Sequence, residues 1–263
     1  MVAASNDDPS CHCLVAAGGD GTVAALINEC PKRPITVLPA GTENLFAGHF
    51  QVRHSPEAVA QTIALGRILP MDLGLSAGRR FALMAGIGFD AEVVSRHHAA
   101  RFGSAGELRP TNRAAYVEPV LRASLGYRFP VLTITTNDGE TLIGTTAFVF
   151  NLPKYALGLP IAPTAKGDDG LLDLVVFRDP GPFRALHYLW MVLRGLHLKR
   201  DGTTHRRVSR IEVNSAEIVP VQLDGDPGGV VGERAKEPWT IEVLPAEVAV
   251  MVPERYGREA AIA

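Results

Sequence analysis

Cys11-His12-Cys13-Leu14-Val15-Ala16-Ala17-Gly18-Gly19-Asp20-Gly21-Thr22-Val23-Ala24-Ala25-Leu26-Ile27-Asn28 is the stretch whose reading decides the fold. Its first part, Cys11–Ala17, is a short apolar run and reads as a strand. It passes straight into a glycine loop, Gly18–Thr22, after which Val23–Asn28 has helical character. A second buried strand is expected at Pro34–Leu38, ended by Pro39-Ala40-Gly41-Thr42, and a helix at Glu57–Gly66. Strands that alternate with helices imply a parallel sheet with helices on its faces.

Further along, the pattern predicts a strand at Arg79–Ala85, a helix at Asp90–Arg101, a glycine-containing loop from Arg101 to Pro110 and a helix at Thr111–Leu125. From Phe129 the chain turns to β structure. Val131–Thr136 and Thr141–Phe150 flank Asn137-Asp138-Gly139, a hairpin signal because Asn and Gly tolerate positive φ. Strands are also expected at Leu171–Phe177, Arg207–Val213, Glu217–Leu223, Trp239–Leu244 and Val248–Val252, with an apolar helix at Pro182–Leu196 that carries Pro in its first turn. The fold class that follows is α/β plus β. A partial doubly wound α/β nucleotide-binding domain (residues 1–70) precedes a β-sandwich-like domain (residues 71–263).

Composition sets the outer limits. With 263 residues, 46% of them apolar, the chain can fill real cores. A net charge of -2 and a pI near 6.4 argue against a general nucleic-acid partner. Three cysteines, Cys11, Cys13 and Cys30, make neither a disulfide framework nor a zinc site, which suits a reducing cytoplasm. No signal-peptide order and no apolar run of membrane-spanning length is visible, so the expected location is cytoplasmic, with peripheral contact at the inner membrane face. The sequence leaves homo-oligomerisation open.

Glycines between a strand and a helix let backbone N–H groups approach a phosphate where side chains would block it. The plainer reading of Gly18–Thr22 is a tight turn. Asp20 is unusual in an anion loop, and makes sense if it holds Mg²⁺ or takes a proton from an attacking hydroxyl. Leu38–Ala47 ends a second strand in Gly41-Thr42. Two such loops at the carboxyl ends of parallel strands would share one ligand crevice.

Gly18-Gly19-Asp20-Gly21-Thr22 with Asn28, then Leu38-Pro39-x-Gly41-Thr42-x-Asn44-x-x-Ala47, resembles the catalytic domain of the diacylglycerol kinase and sphingosine kinase-like lipid kinase family. The resemblance continues through Gly86-Ile87-Gly88-Phe89-Asp90-Ala91, Asn151-Leu152-Pro153-Lys154-Tyr155, Ile161-Ala162-Pro163, Asp169-Gly170-Leu171-Leu172-Asp173 and Leu223-Asp224-Gly225-Asp226. It spans about Val15 to Pro253, in family order.

The resemblance implies an ATP-dependent lipid kinase using Mg²⁺, with ATP and a lipid at a membrane surface as partners. It implies that Gly18, Gly19, Asp20, Gly21, Thr22, Val23 and Ala24 wrap the ATP phosphates, with Thr42 and Asn44 on the neighbouring loop. Asn28 reads as a nucleotide contact or a helix cap. Asp226, Asp224 and Asp20 are the catalytic candidates. Asp226 stands where the family has Glu, and Asp224 is the alternative base or a metal partner. A metal site is implied at Lys166, Asp169 and Leu171, through one carboxylate and two main-chain carbonyls. The family's opening strand, turn and helix are not visible in Met1–Ser10, and the expectation is a truncated chain. The competing readings are an NAD kinase-like phosphotransferase and a catalytically inactive lipid-kinase-like module. A basic stretch after the apolar helix (Arg194, Lys199, Arg200, Arg206, Arg207 and Arg210) suggests attraction to an anionic membrane, or else a solvated charged loop.

Overall fold

Short apolar runs that end in glycine build the first layer. Strand β1 (Leu14–Gly18) lies parallel to β2 (Ile35–Pro39), with Leu14 opposite Ile35 and Gly18 opposite Pro39. The computed structural model describes residues 2–101, 117–232 and 237–257. Ahead of β1, α1 (Val2–Asp7) is tied to the loop before β2, where Asn6 Nδ2 donates to Cys30 O and Arg33 Nε to Ser5 O. Helix α2 (Asp20–Asn28) joins the two strands, and α3 (Leu45–His49) and α4 (Pro56–Leu65) follow. Helix α4 carries its own start and stop. Ser55 Oγ accepts from Ala58 N, Pro56 occupies the first turn, and Gly66 closes the helix at φ 64°.

The remaining elements are β3 (Ile68–Ser76), β4 (Arg79–Phe81), β5 (Met84–Gly88), α5 (Phe89–Arg101), α6 (Val117–Gly126), β6 (Leu132–Thr136), β7 (Thr141–Gly144), β8 (Thr146–Phe150), β9 (Leu172–Phe177), α7 (Pro182–Leu193), β10 (Thr203–Val208), β11 (Arg210–Asn214), β12 (Val219–Leu223), β13 (Asp226–Val231) and β14 (Trp239–Met251). One sheet runs β1-β2-β14-β11-β6-β7, with β3 also on β14 and β4 on β3. The other runs β10-β9-β8-β5-β12-β13. An α/β amino-terminal domain thus precedes a β-sandwich-like one, as expected.

β14 couples the two domains. Its first half pairs with β11, Ile241 opposite Ile211, and its second half reaches β2, Val250 opposite Ile35. The register slips between Leu244 and Val248, where Ala246 takes φ 50° and donates its N–H to buried Asp72 Oδ1 at 2.8 Å. The two strands expected at Trp239–Leu244 and Val248–Val252 are therefore one bulged strand.

Three expected strands are instead sheet-switching corners. Arg79–Ala85 breaks at Ala82 and Leu83, whose N–H groups donate to Asp224 at 2.7 and 2.8 Å, so that β4 and β5 enter different sheets. Thr141–Phe150 breaks at Thr145, whose N–H donates to Phe177 O at 2.9 Å, so that β7 and β8 enter different sheets. Arg207–Val213 breaks at Ser209, whose N–H donates to Asn137 Oδ1 at 3.0 Å. Strands β3 and β13 were not expected, because Pro70, Asp72 and Gly74 in one and Pro227, Gly228 and Gly229 in the other interrupt the apolar pattern. The part of the Thr111–Leu125 helix before Val117, and the loop after Arg101, lie outside the described residues.

The central strands of the second sheet, β5, β8 and β9, are buried on both faces. Val149 faces the sandwich core with Leu132, Ile134 and Val213, while its neighbours Phe148 and Phe150 face a core shared with Val37, Phe46 and Leu83. A strand covered on both sides reads as a continuous apolar run, as Thr146–Phe150 does.

Candidate active site between the glycine loops and the Asp224 turn

The two glycine loops leave adjacent parallel strands and touch each other. A Cβ added to Gly41 would lie 2.4 Å from Gly19 Cα, and Ala40 N donates to Gly18 O at 3.0 Å. Neither glycine can be replaced without moving backbone. Helix α2 starts directly after Gly19, earlier than the sequence suggested, with Thr22 N and Val23 N both bonded to Gly19 O and no side chain capping the helix. A Cβ at Gly21 meets no protein atom within 4 Å, and Thr22 is exposed. The glycine loop is thus an uncapped helix start open to solvent, a geometry suited to anionic oxygens.

Asn44 sits at φ 52° before α3, its Oδ1 accepting from Gly41 N at 2.9 Å and its Nδ2 donating to Gly41 O at 2.7 Å. It braces the second loop. Asp20 does for α3 what a capping side chain does, accepting from Leu45 N at 3.0 Å and Phe46 N at 2.9 Å. Its carboxyl is nevertheless raised above the ordinary range, mainly by burial and also by the nearby Glu43 charge, which together outweigh these hydrogen bonds.

Asp224 approaches from the sandwich domain. With Gly225 it forms a two-residue turn, φ 50° and 87°, between β12 and β13. Its carboxylate is caged by three main-chain donors, Ala82 N at 2.7 Å, Leu83 N at 2.8 Å and Met84 N at 3.0 Å. Burial prevails over those donors, the Asp20 charge adds to it, and the carboxyl is pushed up to about 6. Asp226 lies two residues on with its side chain 46% exposed, 3.8 Å from His98 Nδ1 of α5. Of the two turn carboxylates, Asp224 therefore shares an electrostatic environment with Asp20.

A second layer supports the turn. Gln222, fully buried, accepts from Gly225 N at 2.8 Å through Oε1 and donates to Asp90 Oδ2 at 3.0 Å through Nε2. Tyr155 donates its hydroxyl to the other Asp90 oxygen. Asp90 is raised by burial, against both hydrogen bonds. A side chain at Gly86 would collide with Asp90 and Gln222, which accounts for that glycine. Sequence reasoning gave Gln222 no role, although a buried amide inside the apolar run Val219-Pro220-Val221-Gln222-Leu223 was the available signal.

Other expected residues have structural partners. Asn28 Nδ2 donates to Ala24 O and Arg80 O, and Asn28 Oδ1 accepts from Arg80 N, so it fastens α2 to β4. Val23 is core, with its backbone alone at the loop. Burial and the Lys154 charge, against the Asp168 charge, push His49 down to about 4.

Of the positions implied for a metal, Asp169 already has partners. Lys166 is exposed, and Asp169 is paired with Arg207 through one oxygen and accepts Leu171 N through the other at 3.2 Å. The guanidinium already supplies the positive charge there. Among the described residues no group of three His, Cys, Asp or Glu side chains could hold a metal ion. A Mg²⁺ held there by one carboxylate, two main-chain carbonyls and water would have to displace Arg207 from Asp169.

Comparisons with known proteins agree with this architecture. Residues 2–76 match the diacylglycerol kinase catalytic domain, and residues 84–252 match the YegS C-terminal NAD kinase beta sandwich-like domain. A diacylglycerol kinase of Bacillus subtilis is 28% identical over 225 residues, 83% of this chain and 72% of that protein. Among solved structures, a diacylglycerol kinase from Bacillus anthracis superposes with a TM-score of 0.63 at 17% identity, covering 93% of this chain and 78% of that one. An NAD kinase from Archaeoglobus fulgidus in complex with ATP shares the fold at a TM-score of 0.51 and 15% identity, covering 94% and 80%. With both domains matched in order, the chain belongs to the family of diacylglycerol kinases and YegS-like lipid kinases.

Proposed function

We propose that the chain transfers the γ-phosphate of ATP to a lipid hydroxyl. The observation that carries this reading is the meeting of two abutting glycine loops with Asp224, a carboxylate pushed up to about 6. Phosphoryl transfer depends on positioned donors and electrostatics more than on covalent chemistry. In this reading the phosphates lie on the backbone of Gly18, Gly19, Asp20, Gly21, Thr22, Val23 and Ala24, with the Thr22 and Thr42 hydroxyls beside them. Asn44 and Asp20 hold the second loop in place. Mg²⁺, arriving with ATP, supplies neutralisation of phosphate charge.

Asp224 is the base. Ionised above about pH 6, it takes the proton as the lipid oxygen bonds to the γ-phosphorus and the bond to ADP breaks. Asp226 lies nearer to solvent and His98, and we give it a supporting place. The lipid acceptor is supported by the family, whose Bacillus subtilis member is named a diacylglycerol kinase.

The test is transfer of γ-labelled phosphate from ATP to a mixed lipid extract, with NAD as a parallel acceptor. Label in a lipid is the expected result. Label in NADP alone would establish the NAD kinase alternative, and label in neither would favour the inactive module.

A further inference from the structure

Helix α7 carries two apolar faces where a surface helix of a soluble domain needs one. Tyr188, Met191 and Val192 point inward, and Tyr188 packs tilted against Phe177 at 4.5 Å between ring centroids. On the outside, Phe183, Leu186, Leu189, Trp190 and Leu193 recur at helical spacing and continue into Leu196, and none is covered. Phe183 is 87% exposed, and Leu186 and Leu193 65% each. Single exposed leucines need no explanation, but a contiguous stripe of this kind marks an interaction surface.

The charges around the stripe identify what it meets. From Arg178 to Arg200 the chain carries Arg178, Arg184, Arg194, Lys199 and Arg200 against Asp179 alone, in a protein whose net charge is -2. Arg178 and Arg184 reach Asp179 only at 4.0 Å, and Arg194 lies over the Trp190 ring at 5.1 Å, at the edge of the apolar stripe. An exposed stripe of Phe, Leu and Trp framed by arginines and lysine has the form of an interfacial helix, whose apolar face enters the acyl boundary while its cations meet anionic headgroups.

We infer that α7 docks the protein on the surface of an anionic lipid bilayer, lying in the interface plane with Phe183, Leu186, Trp190 and Leu193 inserted and the flanking cations on the headgroups. The inference deepens the lipid-kinase reading, on which its choice of a bilayer as occupant rests. The inward residues Tyr188 and Val192 belong to the same apolar core as Leu83, Met84 and Phe46.

The test is co-sedimentation of the full chain, without nucleotide, with vesicles of phosphatidylcholine alone or mixed with phosphatidylglycerol. The wild type is expected to bind the mixed vesicles with a blue shift in tryptophan emission, and to release as salt rises. Phe183→Glu and Leu193→Glu, made singly at exposed positions, are expected to lower the bound fraction at least about tenfold while melting like the wild type. Arg184→Glu combined with Arg194→Glu is expected to remove the preference for phosphatidylglycerol. Equal binding by wild type and variants, or no binding by the wild type, overturns the inference. So does a wild-type oligomer in light scattering that Phe183→Glu splits, since the face would then bind a second copy of this chain. Because no phosphate transfer is read, vesicle binding by a chain that moves no phosphate would refute the kinase reading and leave this one standing.

Discussion

At Asp224 three main-chain donors favour the carboxylate, and burial and Asp20 oppose it; burial prevails. The consequence for folding has a definite sign. A carboxyl raised to about 6 in the fold, against 3.8 in the unfolded chain, binds more protons when native. Its contribution to stability is fully present below about pH 4 and is lost as pH rises through about 6. Asp20 and Asp90 are raised in the same direction. Urea titrations of wild type and Asp224→Ala are expected to show a fall in stability across this window that is smaller in the variant; equal pH dependence would mean that Asp224 is not raised. Two glycines give a sharper contrast. Gly41→Ala forces a Cβ onto Gly19 and should destabilise by about 1–3 kcal/mol. Gly21→Val fills space that no protein atom occupies, so its melting temperature should be unchanged while ATP affinity falls at least about tenfold. Calorimetric unfolding and nucleotide titration check both.

The elements show how far the sequence could be read. Strands and helices bounded by glycine or proline, such as β1, β2, α4 and α7, lie within a few residues of their predicted places, because a local signal sets each boundary. The β7–β8 and β10–β11 corners were not legible. There the chain changes sheet at Thr145 and Ser209 through bonds to Phe177 and Asn137, partners that lie far along the chain or in another turn. The candidate site divides in the same way. The glycine loops and the Asp-Gly turn carry local signatures, whereas the Asp20 bonds to α3, the Asp224 cage and the Gln222–Asp90 link join segments distant in sequence. Asn28 illustrates the point. It reads as a helix cap or a nucleotide contact, and its partner Arg80 is 52 residues away. Asn28→Ala leaves the Arg80 amide and carbonyl without it and is expected to cost about 1–3 kcal/mol, read as a lowered melting temperature. An unchanged melting temperature with weakened ATP binding would return Asn28 to the nucleotide.

Across the whole molecule, one bulged strand binds the two domains into a shared sheet. Strand β14 pairs with β11 in the sandwich and with β2 beside the glycine loops, and Asp72 anchors its bulge. The glycine loops belong to that sheet, and the Asp224 turn, on the other sheet, is held by the Ala82, Leu83 and Met84 amides where β4 passes into β5. This arrangement suits a reaction that depends on holding two substrates in line. No helix among the described residues is long and apolar enough to cross a membrane. The most direct measurement is kcat/KM for phosphate transfer from ATP to the lipid acceptor across pH, for wild type, Asp224→Asn and Asp226→Asn. The account predicts a rate that rises through about pH 6 in the wild type and in Asp226→Asn, and falls by about 10²–10⁴ in Asp224→Asn. A near-normal Asp224→Asn enzyme beside an inactive Asp226→Asn enzyme would contradict it.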